Sequence, residues 1–269
     1  MKNQIIHVIT AILLLLSPVM LAAQEQEISV PLSKSGERAK VVIDIKKGPI
    51  TVQGTARQDV LVRYKSLESP EPKIEEASGG LKKISGGMGS LEIVEKNNEV
   101  YIESDSWNKG LEINAEVPRN VDLEVQTYHD GDIKISNVNG ELVVESFHGP
   151  ITAENISGSL VANTYHGPIK VTFNEITPDT PLAFSTYHGD VDVTFPPNYK
   201  ASFKLKTEQG DIFTGFDMNL KAPEVKRQED KEGGWRQTFV GGWITGTING
   251  GGPEVLMKNY HGDIYIRKR

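Results

Sequence analysis

The chain has 269 residues with 29 basic and 36 acidic side chains, a formal charge of −7, and no cysteine. The acidic balance argues against a nucleic-acid partner, whose phosphates reward a basic face. The missing cysteine excludes disulfide staples and attachment through a lipidated cysteine, so stability must come from packing and backbone hydrogen bonds.

In chain order, the first element is a leader. Lys2 gives a positive start, Ile5 to Leu16 is apolar except for His7 and Thr10, and Ser17-Pro18 leads into "VMLAA" before the polar "QEQE". Residues 1–23 are expected to be a secretory signal peptide cut after Ala23. Pro18 interrupts the run, which falls short of the roughly 20 apolar residues of a spanning helix. No later stretch is long and apolar enough to span, so the exported chain is expected to have no transmembrane span.

Residues 24–39 are expected to be an N-terminal extension, and "VVIDIKKGPITVQGT" a first strand-turn-strand unit at the end of the stack. Residues 66–90 are rich in proline, glycine and charge and are predicted to loop out.

The centre of the chain keeps a beat. Gly131, Gly140, Gly149, Gly158 and Gly167 recur every nine residues, and alternate ones follow an aromatic-His pair, so the full repeat is eighteen residues made of two strand-turn halves. Two and four places after each glycine stands an apolar or small residue, such as Ile133 and Ile135 or Leu142 and Val144. That period of two puts these side chains on one face of a strand, with glycine at the corner. A unit of this kind cannot bury its inner face alone and must stack on neighbours. The fold class expected is all-β: a single-domain β-solenoid over residues 40–269, of stacked parallel rungs with loop insertions at about 66–90 and 217–242. The end of the chain, with Ile264 and Ile266 followed by Arg267, Lys268 and Arg269, is expected to form a charged edge that discourages further strand addition.

The rung Thr-x-x-Gly-Asp/Pro-Ile recurs at Thr127 to Ile133 (with one extra residue), Thr164 to Ile169, Thr186 to Val191 and Thr207 to Ile212, and the chain closes on "GTINGGGPEVLMKNYHGDIYIRK". On these motifs it resembles the bacterial DUF4097 family of β-strand-repeat proteins, whose domain carries the label "putative adhesin", over about residues 40–269. The resemblance implies an exported, non-catalytic solenoid of the cell envelope, in the periplasm or on the surface, and brings no catalytic residues. This chain departs from commoner members by placing an aromatic and a histidine before the glycine.

Those pairs are the candidate site: Tyr128-His129, Phe147-His148, Tyr165-His166 and Tyr187-His188, with a relative at Tyr260-His261. Rungs about 4.8 Å apart would turn them into a ring column and an imidazole column. Thr127, Ser146, Thr164, Thr186 and Thr207 would form a third column, suited to hydroxyl pairing inside the corner. The preferred reading is a packed corner presented to an envelope protein or glycan, with no cofactor.

Two alternatives carry sharper chemistry. His148, His166 and His188 could lean together on zinc or copper, although compact ligand spacings such as His-x3-His are absent. A polysaccharide-acting β-helix enzyme would need a carboxylate pair such as Asp190 and Asp211, expected on adjacent rungs. Asp132, Asp190, Asp211 and Asp263 are otherwise turn residues that accept backbone N–H bonds, and the tandem glycine pattern of calcium rolls is missing. No Gly-x-Ser-x-Gly elbow, phosphate loop or His-Glu-x-x-His helix occurs. Trp107 and Trp235 are further candidate anchors.

Overall fold

A computed structural model describes residues 25–68, 73–76, 82–85, 87, 89–221, 225–229, 235–239 and 242–269. The expected leader, residues 1–23, lies outside them. The described residues are all-β. Their main body is one 20-stranded sheet folded into two faces, and two short hairpins stand apart from it.

Each turn of the stack contributes one strand to a front face and one to a back face. In spatial order, rung 1 is Glu99–Ser104 with Leu111–Pro118, rung 2 is Ala39–Lys47 with Ile50–Thr55, and rung 3 is Val121–His129 with Ile133–Ser136. Rung 4 is Asn139–His148 with the first part of Ile151–His166; rung 5 is the rest of that long strand with Ile169–Ile176. Rung 6 is Leu182–His188 with Val191–Phe195, rung 7 is Glu254–Lys258 with Ile264–Lys268, and rung 8 is Ala201–Lys206 with Ile212–Thr214. Neighbouring rungs pair in parallel on both faces. In the centre the offset is eighteen: Ile133 pairs with Ile151 and Ile151 with Ile169.

The alternation read from the sequence sets which side chains point inward. Leu123, Val144, Leu160 and Phe184 from the front and Ile133, Ile151, Ile169 and Val191 from the back are 1 % exposed or less. Each such side chain contributes about 1.5–3 kcal/mol over its exposed state. Gly149 and Gly167 turn the corner because nothing else fits. Their φ angles are +141° and +142°. A Cβ on Gly167 would also lie 2.5 Å from the Gly149 carbonyl oxygen.

Both chain ends depart from the expected order. The unit at residues 39–55 is not the outermost one, because rung 1 lies outside it. Likewise Ile264–Lys268 is no edge: it is held between Val191–Phe195 and Ile212–Thr214, and Arg267 donates two hydrogen bonds to the Asp192 carboxylate at 2.7 and 3.0 Å. A strand clamped on two sides leaves no free ladder for aggregation, which the basic tail alone would only discourage.

Antiparallel strands cover both faces of rung 1 and the front of rung 8, while among the described residues the back strand of rung 8, Ile212–Thr214, pairs only with Ile264–Lys268. Glu92–Lys96 covers the front of rung 1, and Asp59–Ser66 covers its back. Gln26–Pro31, within the expected extension, adds a further strand to Asp59–Ser66. Ile244–Ile248 and Met218–Leu220 cover the front of rung 8, so the second expected loop starts later than residue 217. Its described part is the hairpin Val225–Glu229 with Trp235–Phe239; in the first loop Lys73–Glu76 pairs with Lys82–Ser85. Residues 69–72, 77–81, 86, 88, 222–224, 230–234 and 240–241 of these loops, and the Trp235 side chain, lie outside what the structure describes.

Candidate functional site

The corner between the front and back faces carries the candidate residues. The last residues of each front strand alternate as the pleat requires: an inward threonine or serine, an outward aromatic, then a histidine at the bend. Rungs 3, 4, 5 and 6 bring Tyr128-His129, Phe147-His148, Tyr165-His166 and Tyr187-His188 into two adjoining columns. The folding of the C-terminal unit beside rung 6 adds Tyr260-His261 to both.

The aromatic rings stack nearly parallel. Centroids are 4.7 Å apart for Tyr128–Phe147, 5.1 Å for Phe147–Tyr165, and 4.8 Å for both Tyr165–Tyr187 and Tyr187–Tyr260. The imidazoles follow at 5.3, 5.0, 5.1 and 4.6 Å from His129 to His261. Each aromatic also meets its own histidine edge-on, so the two columns brace each other. Trp107 ends the aromatic column, edge-on to Tyr128 at 5.1 Å and 51 % exposed. Beyond the other end rung 8 has Glu208 and Gln209 at the corresponding places, and Gln209 pairs beside His261.

The hydroxyl column works differently from the expected side-chain pairing. Thr127, Ser146, Thr164, Thr186 and Thr207 each donate to the carbonyl of a corner glycine on the neighbouring rung, respectively Gly48, Gly131, Gly149, Gly167 and Gly262, at 2.9–3.2 Å. On rung 7 Asn259 takes this place, and its Nδ2 reaches the Gly189 carbonyl at 3.3 Å. The bend turns these carbonyls out of the strand ladder, so the side chain supplies the missing donor.

Histidine carbonyls hold the same corner: the N–H of Gly131, Gly149, Gly167 and Gly189 donates to the carbonyl of His148, His166, His188 and His261. Desolvation, and then the charge that His261 and His166 would carry, hold the His188 imidazole below its ordinary value. The His148 Nδ1 is buried without a hydrogen-bond partner.

A shared metal ion needs ring nitrogens whose in-plane lone pairs converge at about 2.0–2.1 Å. His148, His166 and His188 lie in planes within 3° and 9° of parallel, so their lone pairs run side by side. Binding would require the rings to leave the stack. Among the described residues no group of three His, Cys, Asp or Glu is arranged for a metal.

The candidate acid–base pair is not on adjacent rungs, because rung 7 lies between Asp190 and Asp211. Asp190 accepts the Asp263 N–H at 2.8 Å and Asp263 accepts the Asp211 N–H at 2.9 Å; these corner carboxylates accept backbone N–H groups as expected, but from the neighbouring rung and not from their own turn.

The stacking covers the ring faces and leaves the edges outward; Tyr165, Tyr187 and Tyr260 are 37–41 % exposed. A groove of about 220 Å³ runs beside Tyr128, Phe147 and Tyr165, floored by Gln126, Glu145 and Asn163. At the opposite corner a cleft of about 570 Å³ lies between Pro178, Pro196 and Pro253, and Tyr199 contributes to its lining. Burial pushes the Tyr199 hydroxyl up to about 12, and that hydroxyl has no hydrogen-bond partner.

Sequence reading found four of the five ladder pairs as a column. It missed that Tyr260-His261 joins the ladder and that Trp107 ends it. The motif at 260–262 signalled the first; nothing in the local sequence signalled the second.

Parallel rungs with glycine corners and an aromatic-His edge define an all-β repeat protein with a continuous side-chain ladder. The chain belongs to the Toastrack DUF4097 family, whose profile matches residues 22–267. No curated protein matches it. The crystal structure of a "putative cell adhesion protein" from Clostridium sporogenes ATCC 15579 is similar in fold, with TM-score 0.51 and 14 % identity over 91 % of this chain and 99 % of that one. That of a "putative adhesin" from Bacteroides fragilis NCTC 9343 matches at TM-score 0.39 and 11 % identity, over 92 % of this chain and 98 % of that one. Among the described residues no helix is long and apolar enough to cross a membrane.

Proposed function

We propose that this is an exported, non-catalytic interaction protein of the bacterial envelope. In this reading residues 1–23 are removed and residues 40–269 form a single solenoid domain whose aromatic-His edge contacts an envelope protein or glycan. The observation that carries it is the ladder itself, unbroken over five rungs from Tyr128-His129 to Tyr260-His261. Its ring faces are spent on one another, so catalysis or flat stacking on a sugar has little surface there. The edges offer phenol hydroxyls and imidazole nitrogens at one rung spacing, about 4.8 Å, on a rigid support. Such a row suits a partner that also repeats, because many weak contacts add without new ordering cost. Family membership supports the reading, and the fold likeness adds an adhesion-related precedent at low identity.

The test is co-sedimentation of the mature protein with purified cell-wall glycan and with envelope vesicles, beside a His166→Gln/His188→Gln variant and a Tyr165→Ala/Tyr187→Ala variant. Binding that falls at least roughly tenfold in both, with the fold intact by circular dichroism, is the expected result. Equal binding by wild type and variants removes the edge from the contact. Release of soluble glycan fragments would show an enzyme instead.

A further inference from the structure

The outer face of the front sheet, of which the ladder's aromatic column is one row, carries a further pattern in the rows beside it. Because the rungs pair in register, its outward side chains form straight rows. In rung order 3 to 8, one row reads Gln126, Glu145, Asn163, Ser185, Lys258, Lys206. The next reads Glu124, Val143, Val161, Ala183, Leu256, Lys204. The ladder row is the third and ends on Glu208. The face is thus acidic at one end, basic at the other and apolar between, and Val143 and Val161 are each 40 % exposed. Glu145 and Lys258 make no ion pair among the described residues, whereas Glu124 is paired with Lys40 at 2.8 Å and Lys206 with Glu208 at 2.6 Å, and Lys204 lies over the Trp243 ring at 4.8 Å.

We propose that this face is the interface of a two-fold dimer, in which a second copy of the chain lies face to face with its rungs stacked in the opposite direction. The two-fold axis runs parallel to the strands, midway between rungs 5 and 6. That operation keeps each row opposite the same row of the partner and reverses the rung order, so an isologous contact results. Glu145 then faces the second copy's Lys258 and Glu124 faces its Lys204. Val143 meets Leu256, Val161 meets Ala183, and Asn163 meets Ser185.

Acid lies on base at both ends and apolar on apolar in the middle, from one symmetry operation. The like-charge apposition in the outlying row, Glu141 on Glu254, falls at the rim, where solvent screens it. Six rungs by three rows span about 29 by 20 Å, or roughly 1,200 Å² over both copies, the lower bound for a specific interface. The histidine column, around the bend, stays outside it.

Sedimentation equilibrium of the mature protein across micromolar concentrations tests this with a charge swap. Wild type is expected to dimerise, and more weakly at high salt. Glu145→Lys and Lys258→Glu should each weaken the dimer at least roughly tenfold, and the double variant should recover most of the loss. Val161→Glu should leave a monomer of unchanged circular dichroism. A monomeric wild type at all these concentrations overturns the proposal, and so does a double variant no tighter than the singles. The tyrosine edges of the ladder lie inside this interface and the histidine edges outside it, so the His166→Gln/His188→Gln arm of the glycan and vesicle experiment decides the ladder reading separately from the dimer.

Discussion

Thr164→Val isolates the corner hydrogen bond in the middle of the stack. Thr164 is 3 % exposed and its hydroxyl donates at 3.1 Å to the Gly149 carbonyl, which the strand ladder does not reach. Valine keeps the branched shape and the buried volume, so the substitution removes the donor and little else. It leaves a buried carbonyl unsatisfied, which costs about 1–3 kcal/mol. Thr164→Ser keeps the donor, as Ser146 does one rung away, and gives up one methyl for about 0.8 kcal/mol. Urea unfolding followed by circular dichroism should therefore rank wild type above the serine variant and the serine variant above valine. The slope of free energy on urea should stay the same for all three. A valine variant as stable as wild type would refute the argument, since it would mean that the corner carbonyl needs no side-chain donor.

Two further outcomes follow from the corner. Gly167→Ala combines a φ of +142° with an approach of 2.5 Å between the new Cβ and the Gly149 carbonyl oxygen, and should cost about 3 kcal/mol or more, read as a fall in melting temperature. A melting temperature unchanged within error would show that the bend can open. The His188 imidazole is held below its ordinary value of 6.5, so the unfolded chain binds its proton first as pH falls. Its contribution to stability is complete above that value and is lost as pH drops from there toward the folded-state value. NMR titration of the His188 ring should place its midpoint below that of a model peptide, and His188→Gln should flatten the acid side of the stability profile. A midpoint at or above the peptide value would contradict the stacked, desolvated environment.

The eighteen-residue repeat, the inward residues and the four central aromatic-His pairs were legible because each follows from local alternation. A period of two fixes which side chains share a face, and an equal number of residues per turn fixes the register with the next rung. Asp190 and Asp263 were legible as backbone N–H acceptors at the corner, but the N–H each one meets belongs to the next rung, 73 and 52 residues away, and only the stacking supplies it. The use of the hydroxyl column was not. Whether Thr164 turns to its neighbour in the column or to the Gly149 carbonyl depends on how the bend exposes that carbonyl, and this is a three-dimensional fact.

Order along the stack was also beyond the sequence. Residues 39–55 and 254–268 carry ordinary rung patterns, yet each is held between two other rungs, inside rung 1 and rung 8 respectively. A parallel rung accepts a neighbour on either side with the same alternation, so the pattern cannot say which segment arrives there. Long-range pairing decides: among the described residues both segments gain a parallel neighbour on each side, while short strands such as Ile212–Thr214 and Glu92–Lys96 are left at the edges. That choice brings Tyr260-His261 onto the ladder, sets Lys258 and Lys204 at one end of the front face, and separates Asp190 from Asp211. The sequence by itself thus determined the rung, and the tertiary structure determined the stack, because side-chain alternation is local whereas strand order depends on which distant segments pair.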